Sequence, residues 1–144
     1  MSTSDLKQLT YNDHKFKTFD KVRYNDTDKQ GHVNNAVFST FFETGRVELL
    51  YVPDKPLFDE GCEFVIASNN IDYLAEIKWP GEVLIGTSIT HIGNRSIHIV
   101  QSIYQNGKLA GISQNVTVQI DQVTRKSLPF SDGIREELKK YLLE

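Results

Sequence analysis

The densest set of chemically capable side chains lies in one short stretch, Arg23-Tyr-Asn-Asp-Thr-Asp-Lys-Gln-Gly-His-Val-Asn-Asn35. Asp26 and Asp28 supply carboxylates, His32 an imidazole, and Gln30, Asn34 and Asn35 side-chain amides. A carboxylate at the edge of an apolar cleft can activate water or attack a carbonyl carbon directly. Where such a cluster precedes a helix, the unpaired N–H groups of the first turn can polarise a carbonyl oxygen or hold an oxyanion. Gly31 lets the backbone approach a ligand closely. The same residues also read as a polar loop ahead of an Asn cap, with Asp26 and Asp28 bracing the turn through local hydrogen bonds. Spacing alone leaves both readings open.

The elements around the cluster follow from hydrophobic periodicity. Upstream, His14 to Tyr24 alternates, with Phe16, Val22 and Tyr24 set against Lys15, Lys17, Lys21 and Arg23. This predicts a strand with one face buried. Residues 25–31 are dense in turn formers and form a loop. From Asn34 the period changes: Phe38, Phe41, Phe42, Gly45 and Leu49 fall on one helical stripe. Asn34 or Asn35 can cap that helix, and Pro53 and Pro56 end it. Gly45 costs the helix about 1 kcal/mol relative to Ala, which predicts close approach by another backbone. Four strands are expected beyond, over 63–75, 82–92, 96–105 and 109–121, each rich in Ile, Val, Thr or Tyr. Asn106-Gly107 is a hairpin signal, because both residues tolerate positive φ. Ser131 to Glu144 carries Ile134, Leu138, Tyr141 and Leu142 at helical spacing. The expectation is an α+β fold: a five-stranded antiparallel sheet around a long central helix, with a short C-terminal helix.

Composition narrows the functional classes. The 144 residues fit one domain spanning 1–144, with no internal repeat or linker. A net charge of −3 gives no general basic field, so neither nucleic acid nor an anionic membrane is an expected partner. The single cysteine, Cys62, cannot form an intramolecular disulfide and rules out Cys-rich zinc schemes. His14, His91 and His98 lack metal-ligand spacing, so no metal and no cofactor are expected. The first residues contain no apolar signal core and no stretch reaches about 20 apolar residues, which predicts a cytoplasmic protein without membrane insertion.

The run from Arg23 to Arg46 resembles the hotdog-fold acyl-CoA thioesterases of the 4-hydroxybenzoyl-CoA thioesterase type. The features that carry it are an Arg, then Asp-x-Asp, then Gly-His-Val-Asn-Asn, then an aromatic helix containing Phe-Glu. It continues more weakly through Asn70-Ile-Asp-Tyr73, Pro80-Gly-Glu82 and Gly93-Asn-Arg-Ser96 to about Ile120. The resemblance implies a hotdog fold and hydrolysis of an acyl thioester, of coenzyme A or of acyl carrier protein. Asp28 then matches the catalytic carboxylate, either nucleophile or base toward water. The amides around Gly31 to Asn34 would polarise the thioester carbonyl. Plant acyl-carrier-protein thioesterases are similar in the same stretch, but carry Asn where this chain has Gln30. The benzoyl-type enzymes carry an aromatic residue where this chain has Asn35. The resemblance also implies a homodimer or a dimer of dimers, with active sites between subunits.

Other residues carry two readings each. His32 is either a locally bonded residue ahead of the helix or an orienter of Asp28 or water. Glu43 either pairs with Arg46 or Arg23, or acts as a helix-borne catalytic carboxylate of the kind some hotdog thioesterases use. Arg95 and Ser96 sit at a turn where family members contact coenzyme A phosphates, and Lys78 and His91 are the other basic groups near in sequence. Two rival functions remain: a hotdog enoyl-CoA hydratase or dehydratase, and a non-catalytic acyl-CoA-binding protein.

Overall fold

The computed structural model describes residues 1–28 and 31–143. Helix α1 (Thr3–Lys7) leads into strand β1 (Phe16–Lys21), followed by the long helix α2 (Asn35–Leu50). Strands β2 (Cys62–Tyr73), β3 (Glu82–Ile92), β4 (Ser96–Gln105) and β5 (Lys108–Asp121) follow, and helix α3 (Asp132–Lys139) closes the chain. The strands form one sheet in the order β1-β3-β4-β5-β2, with every neighbouring pair antiparallel. The last four expected strands coincide with β2 to β5 to within two residues. Asn106 and Gly107 turn the β4–β5 hairpin at φ 52° and 77°.

Helix α2 exists because its stripe finds the concave face of the sheet. Phe38, Phe41, Phe42, Gly45 and Leu49 are all buried. Each buried phenylalanine removes enough apolar surface to contribute about 1.5–3 kcal/mol. Asn34 caps the helix, its side chain accepting from the Ala36 N–H at 3.0 Å. At Gly45 the close approach is made by side chains, not by a second backbone. A Cβ there would stand 2.8 Å from Gln101 Nε2 and from Ile85 Cγ2, and 2.9 Å from Thr87 Oγ1. Gln101 then ties sheet to helix by donating to the Phe42 carbonyl at 2.8 Å.

Three features depart from the expected pattern. The first strand is shorter, because His14 turns into the interior instead of continuing the alternation. Its ring nitrogens lie 3.0 Å from Ser88 Oγ and 2.9 Å from Ser102 Oγ, on the sheet face opposite α2. Tyr24 is on a 3-10 turn and 72% exposed, so it belongs to no buried face. Ahead of the alternating segment, where no element was assigned, the chain forms α1: Ser2 and Asp5 cap it reciprocally, and Leu6 is buried beside Val100 and Ile112. Cys62, at the start of β2, is buried.

Candidate active site

The loop before α2 is a tight hairpin stitched to the chain after β2. Thr27 bridges Val33, and the Asp28 N–H donates to the His32 carbonyl at 2.8 Å. Gly31 makes the reversal possible at φ 78°. The hairpin is held from the other side, where the Val33 N–H donates to Ile77 O at 2.7 Å and the Trp79 N–H to Gly31 O at 3.2 Å. Asp28 and His32 are thus fixed at one end of the sheet, beside the first turn of α2.

A cavity of about 500 Å³ opens there, lined by Asp28, His32, Asn34 and Asn35 on one side and by Tyr73 to Glu76 on the other. Phe38 and Tyr73 form its aromatic wall, their rings edge to face at 5.1 Å. The Phe38 ring packs closely on Gly111, where an added Cβ would stand 3.1 Å from it.

The backbone accounting identifies the donor for a carbonyl oxygen. Gly31 N–H donates to Asp28 O at 3.3 Å, Val33 N–H to Ile77 O and Asn34 N–H to Asp26 O at 2.9 Å. The expected donors from Gly31 to Asn34 are therefore largely committed to the hairpin. The Ala36 N–H is taken by the cap. Among the described residues the N–H groups of His32 and of Asn35, the first of the helix, have no such partner, and both residues line the cavity. At Asn35 the helix dipole favours a developing negative charge.

Sequence reasoning missed Glu76. Its Oε1 lies 3.3 Å from His32 Nδ1, with the His32 side chain 29% exposed and that of Glu76 63% exposed. A carboxylate beside one ring nitrogen sets the orientation of the imidazole. Glu76 lies just past the end of the expected strand, and nothing in its local pattern links it to His32. Only the pairing of 31–33 with 77–79 does so.

The remaining expected residues are elsewhere. Glu43 is exposed and, with Arg46, lines a separate cavity of about 350 Å³ over Phe64 and Ile66. Arg46 turns inward, donating to Gln101 Oε1 at 3.3 Å, and burial lowers its pKa against the opposing effect of Glu43. Arg23 pairs with Asp20 and Asp26. Arg95 donates to the Ser127 carbonyl at 3.0 Å, at the end of β3 and β4 remote from the hairpin, and Ser96 begins β4 beside it. Gln30 falls outside the described residues. Among the described residues no three His, Cys, Asp or Glu side chains gather as metal ligands, and no helix is long and apolar enough to cross a membrane.

Comparison with known proteins identifies the family. The chain is 27% identical over 124 residues to the acyl-CoA thioester hydrolase YbgC of Escherichia coli O157:H7, covering 83% of this chain and 92% of that one. A solved structure of a predicted thioesterase from Bacillus stearothermophilus superimposes with a TM-score of 0.80 at 32% identity, covering 88% of this chain and 96% of that chain. A thioesterase from Thermus thermophilus, solved with coenzyme A and Zn, superimposes with a TM-score of 0.76 at 29% identity, covering 88% and 93%. Residues 22–138 match the sequence model of the thioesterase-like superfamily, and the chain belongs to that superfamily, with its hotdog fold.

Proposed function

We propose that this protein hydrolyses an acyl-CoA thioester to the free acid and coenzyme A, with Asp28 as the reacting carboxylate and the Asn35 N–H as the oxyanion donor. In one course Asp28 removes a proton from water as the water oxygen bonds to the carbonyl carbon. In the other its own oxygen bonds to that carbon, and water then cleaves the resulting anhydride. In both, charge on the carbonyl oxygen is met by the Asn35 amide, and collapse breaks the carbon–sulfur bond. The thiolate leaves and takes up a proton. His32, held by Glu76, orients water or the carboxylate.

The observation that carries this reading is the uncommitted first amide of α2, at a residue that lines the same cavity as Asp28. Similarity to a thioesterase solved with coenzyme A supports coenzyme A as the thiol half. The test is a panel of acyl-CoA substrates assayed by thiol release, with Asp28→Asn as the control that keeps the shape and removes the base. Equal rates for parent and variant would sink the assignment.

The proposed working unit is a homodimer. Among the described residues strand β2 pairs only with β5; on its other edge Tyr51 Oη bonds the N–H and C=O of Phe64, and farther along Ser68 to Asn70 are exposed. A long open edge is a template for pairing with a second copy. Elution at monomer mass at micromolar concentration would count against it.

A further inference from the structure

We infer that His91 and His98 together bind a divalent transition-metal ion of the copper, nickel and zinc class, on the sheet face opposite α2. The site is separate from the proposed active site and does not depend on the acyl-CoA reading.

In the sequence the two histidines show no metal-ligand spacing; the fold supplies it. The Gly93 N–H donates to the Ser96 carbonyl at 2.7 Å and folds β3 back on β4. Ile89 then pairs with Ile99, and after a one-residue register shift His91 pairs directly with His98. Such a bulge re-aims a side chain, and here it sets the two rings against each other with centroids 5.1 Å apart. Ile97 and Ile99, on either side of His98, are buried in the cluster that holds Leu49 and Leu50 of α2. Alternation along β4 therefore turns His98 outward, and His91 with it.

The other two histidines of the chain are engaged. His14 has a serine hydroxyl at each ring nitrogen, and His32 has Glu76 at one. His91 and His98 are both exposed, and among the described residues no hydrogen bond or ion pair occupies a nitrogen of either ring. The spacing suits a shared ion. A zinc-like ion sits about 2.0–2.1 Å from each imidazole nitrogen, hence roughly 3.2 Å from each ring centre, and a tetrahedral angle then places the two centres about 5 Å apart. Rotation about χ2, a broad torsion, brings a nitrogen of each exposed ring toward the common point.

The backbone beneath the pair is held in place. Arg135 donates to the Gly93 carbonyl at 2.9 Å, and the Phe130 N–H to the Asn94 carbonyl at 3.0 Å, so the turn between the two strands is tied to the segment leading into α3. Two ligands fixed on adjacent strands act as a chelate, because the second nitrogen meets the ion at high effective concentration. Neutral imidazole selects copper, nickel and zinc over magnesium and calcium, and water completes the coordination.

The experiment is a calorimetric titration of the full chain, free of any histidine tag, with ZnCl2, NiCl2, CuCl2 and MgCl2 in separate runs. The parent should take up one transition-metal ion per chain, most tightly copper, and no magnesium. His91→Ala and His98→Ala should each weaken binding about 10- to 100-fold, and the double variant should abolish it. His32→Gln should bind as the parent does. Both residues are exposed, so without metal the variants should melt at the parent's temperature. Zinc should raise the melting temperature of the parent and leave that of the double variant unmoved. Equal affinity in the parent and the double variant overturns the inference. Loss of binding in His32→Gln overturns it too, by placing the ion at the His32–Glu76 pair, and so does magnesium bound as tightly as zinc.

Discussion

His14 and His32 are the same residue in opposite settings, and the contrast separates what holds this molecule together from what it can do. His14 is 1% exposed, and both ring nitrogens are satisfied by serine hydroxyls from neighbouring strands. Its ring lies against Gly86, where an added Cβ would come within 2.3 Å of it. Burial pushes its pKa down to about 4, against a smaller upward pull from Asp13 and with a further lowering by Lys17. His32 borders an open cavity and has a carboxylate at one nitrogen only. A closed polar cluster contributes stability and resists change; an open one is available to a substrate.

Changes at the two clusters should therefore move different observables. The largest effect belongs to the open cluster: Asp28→Asn should lower kcat/KM by about 10²- to 10⁴-fold, with the melting temperature unchanged. A matching loss of stability would mean that Asp28 is a turn brace and would break the comparison. In the closed cluster, Gly86→Ala should destabilise the fold by about 3 kcal/mol, read by denaturant unfolding, while the remaining folded enzyme keeps its kcat.

The closed cluster should also show in the pH dependence of stability. The folded pKa of His14, about 4, lies below the unfolded value of about 6.5. Its contribution is thus fully present above pH 6.5 and is lost as pH falls toward 4, because the unfolded chain takes up the proton first. The loss is about 3 kcal/mol across that window and should vanish in His14→Gln. The smallest effect is at the partner of His32. Glu76 is largely exposed, so Glu76→Gln should reduce kcat/KM only about threefold and leave stability unchanged. A loss as large as that of Asp28→Asn would raise Glu76 from a positioning residue to a reacting one.

What could be read in advance follows the range of the forces involved. The aromatic stripe of α2, its Asn34 cap and the Asn106-Gly107 turn are local patterns, and each is where it was expected. Asp28, His32, Asn34 and Asn35 are close in sequence, so their shared cavity was legible too. Contacts over long separations were not. The burial of His14 depends on serines in β3 and β4, and Glu76 reaches His32 only because the hairpin pairs with 77–79. Tyr24 fits the alternation but follows the strand's end, where a 3-10 turn releases it to solvent beside Trp79. The amide of Asn35 emerged once the hydrogen bonds of Gly31, Val33, Asn34 and Ala36 were known.

A hydrolase that frees a thiol at every turnover works beside a potential partner for disulfide exchange. The one cysteine of this chain is withdrawn from that chemistry. Cys62 is 2% exposed, and burial, reinforced by Asp59 and Asp121, raises its pKa and so suppresses the thiolate. The folded protein therefore offers no ready sulfur for a mixed disulfide with the product. A colorimetric disulfide reagent added to the native enzyme should accordingly report released product alone, and count one further thiol per chain only after denaturation.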